Sequence, residues 1–340
     1  MNYSYPFKGL GVAMVTPFKT DGRIDYESLA RIVENLIAGG VDHLCVLGTT
    51  AETPTLSASE RLEVVKFVIK QVKGRIPMMV GCSSNCTAAV LEQIKDYQLD
   101  GVDAILSAVP FYNKPSQEGI YRHFAEIAKA SAKPIILYNV PGRAGVNMTA
   151  QTTLRIAREF SNVIGIKEAS GNMEQVKEII AGAPEGFRVI IGDDSLAMEA
   201  IRCGASGVIS VIGNAIPKRF GELVHATMQG NYAEAEQIQK QLSPLYGLLF
   251  KEGSPCGVKA LMSDRGILEN VMRLPLVPVS DALKNDILNG FAGIEGWGNW
   301  LVCSSLLRHC RQFHAGRIPL YLSPSPRLNT LHLSPYTVGE

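Results

Sequence analysis

Val163-Ile164-Gly165-Ile166-Lys167-Glu168-Ala169 is a short, apolar, β-branched run bounded by turn-forming residues, and it reads as a buried strand. Lys167 stands near its C-terminal end. Burying an ammonium is costly unless it is paired or neutralised, so a lysine rarely ends such a run. Desolvation favours the neutral amine, the form that attacks a carbonyl. Gly165 falls on the same strand face two residues earlier and is expected to leave space beneath the lysine stem. A lysine snorkelling from a strand end into water is the plainer alternative. The rest of the chain decides between them.

Apolar strand candidates recur at 10–16, 43–48, 77–82, 103–109, 134–139, 163–168, 188–192 and 207–212. Amphipathic helices lie between them. From Asp25 to Gly40, Leu29, Ile32, Val33, Leu36 and Ile37 make one apolar stripe, and Gly39-Gly40 stop the helix. The next helix opens with Ser57-Ala58-Ser59-Glu60, a capping-box pattern, and ends near Gly74. Strand–helix alternation implies a parallel sheet, either a closed (β/α)8 barrel or a doubly wound open sheet.

The polar residues choose between these. In a barrel, chemistry collects at the C-terminal ends of the strands. Those positions hold Thr16, Thr49, Thr50, Ser83, Tyr112, Tyr138, Asn139, Lys167, Asp193, Asp194 and Ser210. An open sheet would concentrate its site at one switch point, often with a G-x-G-x-x-G turn, and the chain carries neither that turn nor a P-loop. The expected fold is α/β, a (β/α)8 TIM barrel over residues 1–225. A C-terminal helical appendage is expected over 226–291, with helices at 231–250, 256–268 and 280–290.

Residues 292–340 differ in kind. They lack Lys and Asp, hold both tryptophans (Trp297 and Trp300), and show no sustained periodicity. Cys303, His309, Cys310 and His314 superficially resemble zinc ligands, but their interleaved spacing fits no common zinc pattern. This atypical tail is read as disordered or as an out-of-frame extension.

A net charge of +1, with 19% charged residues, offers no basic field for nucleic acid and no basic helix for a membrane surface. There is no signal-peptide layout at Met1–Leu10 and no apolar run long enough to span a bilayer. Seven scattered cysteines with no C-x-x-C pair fit reduced thiols in a cytoplasmic protein.

Three segments matter together: Gly48-Thr49-Thr50-Ala51-Glu52, Tyr138-Asn139-Val140-Pro141-Gly142-Arg143 and Gly165-Ile166-Lys167-Glu168-Ala169-Ser170. In this order, after strand two, after strand five and on strand six, the set resembles the dihydrodipicolinate synthase / N-acetylneuraminate lyase family of class I pyruvate aldolases. The resemblance covers about residues 5–291. Arg143, the loop Val109-Pro110-Phe111-Tyr112-Asn113-Lys114-Pro115 and Gly171 after Ala169-Ser170 look like the synthase branch, whereas sialate lyases typically carry threonine at the Ala169 position.

The resemblance implies the following roles. Lys167 forms a Schiff base with pyruvate, with no cofactor beyond that covalent imine. The resulting enamine attacks L-aspartate 4-semialdehyde, in the diaminopimelate/lysine pathway. Tyr138 relays protons, and Thr50 links it to Tyr112, which comes from a neighbouring subunit. Backbone N–H groups of Thr49 and Thr50 hold the pyruvate carboxylate, and Arg143 meets the carboxylate of the aldehyde. Gly192 and Ile209 line the pocket, and no metal takes part. A cytoplasmic homotetramer, a dimer of dimers, is expected, with no nucleic-acid or membrane partner.

Each residue also has an ordinary structural reading: Tyr138 as a core aromatic, Thr49 and Thr50 as a turn, Arg143 as a solvated loop residue, Asp193 and Asp194 as a helix cap. Their joint placement at one barrel face favours catalysis. A sialic-acid or 2-keto-3-deoxy sugar acid aldolase would share Lys167 and Tyr138 but offer Arg143 no carboxylate. A non-catalytic keto-acid-binding barrel would be expected to lose the lysine or tyrosine, and both are present.

Two departures from the family pattern stand out. Ala51 replaces the glycine of many relatives, a change of one methyl that should be tolerated. At the lysine-feedback site Asn85 is kept, but Ala58, Ala89 and Phe111 stand where polar ligands are expected. Weak or absent feedback follows.

Overall fold

The barrel closes because alternate residues of every strand find a lumen to fill while their neighbours find helices to pack on. The computed structural model describes residues 6–97 and 100–294. The atypical tail from residue 295, with Trp297, Trp300, Cys303, His309, Cys310 and His314, lies outside the described residues. Eight parallel strands follow one another round a closed barrel: β1 (Gly9–Ala13), β2 (His43–Val46), β3 (Met78–Gly81), β4 (Ala104–Ala108), β5 (Ile135–Asn139), β6 (Val163–Glu168), β7 (Arg188–Ile191) and β8 (Gly207–Ser210). The strand candidates read from the sequence are all present.

The helices are α1 (Tyr26–Ala38), α2 (Ala58–Val72), α3 (Thr87–Tyr97), α4 (Gln117–Ala130), α5 (Pro141–Ala144), α6 (Ala150–Glu159), α7 (Met173–Gly182), α8 (Ala197–Arg202), α9 (Pro217–Met228), α10 (Tyr232–Leu248), α11 (Cys256–Asp264) and α12 (Asp281–Ala292). The expected capping box starts α2. The Ser57 hydroxyl accepts from the Glu60 N–H at 3.2 Å, and Glu60 Oε2 accepts from the Ser57 N–H at 2.9 Å. After β8 the chain is helical: α10 packs on α9 and α12, and α11 packs on α12.

Ala13, Cys45, Met79, Leu106, Tyr138, Ile164, Ile190 and Ile209 form one buried cluster, the lumen filling. Their strand neighbours Val12, Leu44, Val80, Ile105, Leu137, Ile166, Ile191 and Val208 join a second cluster with helix residues such as Leu29, Val65, Ile120 and Phe220. Both strand faces are therefore covered, which is why the strands read as nearly continuous apolar runs.

Two local features set the geometry of the site. The β5–β6 register shifts: Ile135 pairs with Val163 but Ile136 pairs with Gly165. The extra residue is absorbed as a bulge, and Tyr138 then lies directly opposite Lys167. The second feature is closure. β1 pairs with β8 from Gly9↔Gly207 to Val12↔Ser210. Buried Asn214 seals that seam, accepting from the Val15 N–H at 3.1 Å and donating to Ala13 O at 2.8 Å and Val211 O at 3.0 Å.

Candidate active site

Lys167 lies at the C-terminal end of β6 and is only 5% exposed. Its Nζ sits 4.7 Å from the centroid of the Tyr138 ring, against the aromatic face. Tyr138 is itself buried in the lumen cluster. Cys45 forms the wall nearby. Burial pushes its thiol up to about 11, although the charge of Lys167 pulls the other way.

The glycine that makes room for the lysine is Gly192, not Gly165. A Cβ on Gly192 would stand 2.9 Å from Lys167 Cε and 2.6 Å from Ala169 Cβ. A Cβ on Gly165 would instead meet the backbone of β7, 2.6 Å from Arg188 O. This corrects the expectation for Gly165: its missing side chain lets two strands approach at the bulge. Ile209 is fully buried on β8 among the lumen residues.

Thr49 and Thr50 open a single 3-10 turn, Thr49–Ala51, separated by two residues from the end of β2. Thr50 is buried and Thr49 half-buried. Within the turn the Ala51 N–H bonds Gly48 O at 3.1 Å and the Glu52 N–H bonds Thr49 O at 3.2 Å. The N–H groups of Thr49 and Thr50 are the leading donors, which a helix start leaves free for an anion. The Thr16 hydroxyl holds the turn from the β1 side, donating to Ala51 O at 2.8 Å.

Tyr112 stands apart. It is 87% exposed, in the loop after β4, with φ +72°. Its ring is therefore no part of the buried cluster that holds Tyr138. Arg143 is exposed on α5, the short helix that Pro141 starts after β5.

Three features escaped the sequence reading. Glu168 is fully buried, and its carboxylate accepts from Asn139 Nδ2 at 3.0 and 3.2 Å, Gln175 Nε2 at 3.0 Å and the Ser170 N–H at 2.8 Å. This network pins the residue after Lys167 to the residue after Tyr138. The signal was available: two paired strands each end in a polar residue where burial is complete. The sequence pairs Asp194 with Asp193 as a helix cap, but only Asp193 caps, accepting from the Ser195 N–H at 3.0 Å. Asp194 is buried and holds the segment after β8, accepting from the N–H groups of Val211 at 3.0 Å and Ile212 at 2.8 Å. Burial pushes its carboxyl up to about 6. The third feature is Glu52, whose buried carboxylate pairs with the Lys259 ammonium.

Among the described residues no group of three or more His, Cys, Asp or Glu could hold a metal ion, and no helix is long and apolar enough to cross a membrane.

Comparison with known proteins shows the family of the chain. The dihydrodipicolinate synthetase family matches residues 6–289. The chain is 54% identical over 271 residues to the 4-hydroxy-tetrahydrodipicolinate synthase of Phocaeicola vulgatus, covering 80% of this chain and 91% of that protein. It is also similar to the solved dihydrodipicolinate synthase of Thermotoga maritima, with TM-score 0.83, 39% identity, and 85% and 98% of the two chains covered. The chloride-inhibited dihydrodipicolinate synthase of Acinetobacter baumannii, solved in complex with pyruvate, gives TM-score 0.82 and 37% identity over 84% and 98% of the two chains.

Proposed function

Since this chain belongs to the dihydrodipicolinate synthetase family, we infer that it condenses pyruvate with L-aspartate 4-semialdehyde to give 4-hydroxy-tetrahydrodipicolinate, acting as a class I lyase of lysine and diaminopimelate biosynthesis. The observation that carries the mechanism is the buried amine of Lys167 against the face of Tyr138. The amine adds to the ketone of pyruvate and water leaves, giving an iminium. That group withdraws electrons from the methyl carbon, which loses a proton and becomes an enamine nucleophile. The enamine carbon attacks the aldehyde of the second substrate. The amino group of that substrate then attacks the imine carbon, closes the ring and frees Lys167. The imine is the electron sink, so the reaction needs no separate cofactor.

Tyr138 is the proton relay in this reading, because its hydroxyl is the polar group carried by the ring beneath the amine. The leading N–H groups of Thr49 and Thr50 take the pyruvate carboxylate. Gly192 leaves the lysine stem its space and Ile209 walls the pocket. The exposure of Tyr112 supports its delivery to the mouth of a second chain, where Thr50 would connect it to Tyr138. We assign the protein a homotetramer of two such dimers in the cytoplasm, with residues 1–225 as the catalytic barrel and 226–291 as the helical appendage.

Arg143 selects the aldehyde. Its planar fork suits a carboxylate, and its exposed place on α5 leaves it free to meet an arriving substrate. Arg143→Leu is expected to raise KM for L-aspartate 4-semialdehyde by about 10- to 100-fold, the loss of a hydrogen bond between charged groups. KM for pyruvate should change little. Steady-state kinetics with each substrate varied in turn test this, alongside N-acetylmannosamine as a sugar aldehyde. Faster turnover of the sugar than of the semialdehyde by the wild-type protein would overturn the assignment of the second substrate.

Feedback by lysine is expected to be weak or absent. Ala58 starts α2 and Ala89 lies on α3, and neither offers a hydrogen-bonding side chain; Phe111 is 39% exposed. Titration of the purified enzyme with L-lysine should leave the rate essentially unchanged through the low millimolar range. Half-maximal inhibition within that range would contradict the reading.

A further inference from the structure

The turn that carries Thr49 and Thr50 is strained at both ends. Leu47, just before it, has φ +56°, and Glu52, just after it, has φ +55°. Side chains rarely adopt this left-handed region, and a pair of such residues needs surroundings that hold them there. For Leu47 the support is local. Its carbonyl lies in a notch at Gly81, where a Cβ would come within 2.1 Å, and it accepts from the Thr53 hydroxyl at 3.0 Å. For Glu52 the support comes from the other end of the chain.

The Glu52 carboxylate is completely buried, and so is the Lys259 ammonium on α11 that it pairs with at 2.6 Å. Its second oxygen accepts from the Arg273 N–H at 3.0 Å. Lys259 also donates to Val271 O at 2.8 Å and lies 4.5 Å from the centre of the Phe18 ring. The Arg273 guanidinium binds Glu60 at the start of α2 at 2.6 Å and Thr55 O at 2.9 Å. A buried ion pair is a weak source of net stability, but separating its partners leaves uncompensated buried charge, so the pair resists being pulled apart.

We propose that the Glu52–Lys259 ion pair is a positioning device for pyruvate binding: it anchors the strained turn to α11 and so aims the Thr49 and Thr50 N–H groups at the substrate carboxylate. The proposal rests on the assignment of that turn as the carboxylate site. It gives the helices after the barrel a part in binding pyruvate, although they contribute no group that touches it.

The test uses the full chain and three variants. Glu52→Gln/Lys259→Met removes both charges together and leaves neither ion unpaired. It is expected to raise KM for pyruvate by about tenfold, the cost of misaimed donors, with kcat held within about threefold. A loss of general stability would not produce that split. The preference for pyruvate over methyl pyruvate, whose ester has no anionic carboxylate, should fall by a similar factor. Glu52→Asp keeps the charge but shortens the reach by one methylene, and a several-fold rise in KM is expected; it carries the test should the double variant not fold. Restoring the length and charge at position 52 alone, in the Lys259→Met background, should not restore KM. A folded double variant, or Glu52→Asp, with wild-type KM and wild-type preference would overturn the proposal. Borohydride trapping of pyruvate by the wild-type protein is run in parallel. Its failure would instead remove the Schiff-base reading beneath it.

Discussion

Lys167→Met is expected to fold and to lose at least about 10⁴-fold in kcat/KM, because the covalent route runs through the Lys167 amine at the Tyr138 ring. Methionine suits the site physically. It is unbranched, matches most of the lysine stem, and removes an amine from a place with little access to water. The melting temperature should therefore hold or rise while activity disappears. Borohydride reduction with pyruvate separates the causes. The wild-type protein should gain a pyruvate-sized adduct, mapped to Lys167 by peptide mass spectrometry, and the variant should gain none. An adduct of equal yield on the Lys167→Met protein would place the nucleophile elsewhere and sink the mechanism.

Tyr138→Phe is expected to lower kcat by about 10²- to 10³-fold, within the range general acid–base groups contribute. The variant keeps the ring, so it keeps the wall against which Lys167 Nζ rests. Pyruvate should still be trapped on Lys167, only more slowly, and KM for pyruvate should move little. Rapid-quench trapping over time, set beside steady-state turnover, resolves the two. If the variant turns over within threefold of wild type, the hydroxyl is a structural group and the proton relay lies elsewhere. The contrast between the variants is informative in itself. One abolishes the adduct, and the other delays it.

The barrel was legible because each strand needs an apolar run covered on both faces, and each helix an apolar stripe with a recognisable start. Ser57 and Glu60 announced the start of α2 in sequence and occupy it in space. The site was legible where a costly residue sits in an apolar context, as Lys167 does. Positions that depend on strand register were not legible. Counting along a regular strand puts Gly165 beneath the lysine, but the bulge turns it toward the backbone of β7 and leaves Gly192, just past the end of β7, beside the lysine. Asp194 could not be separated from Asp193 without knowing that it reaches the segment after β8. The partnership of Glu52 with Lys259 spans 207 positions, and no local pattern announces a pair so distant. A lysine inside the apolar helix Cys256–Asp264 was the one available hint.

The seam between β1 and β8 has a consequence for how the chain comes into being. Gly9 pairs with Gly207, so the first strand has its second neighbour only after nearly all of the barrel has been made. At ordinary synthesis rates of about 5–20 residues per second, one edge of β1 stays open for roughly 10–40 s after it emerges. An open apolar edge is a template for wrong pairing. The nascent barrel thus spends most of its synthesis as a curved open sheet, and Asn214, which bonds Val15 and Ala13 across the seam, arrives just after the strand that ends this exposure. Slow elongation between β2 and β8 should therefore harm the yield of this protein more than slow elongation after residue 214.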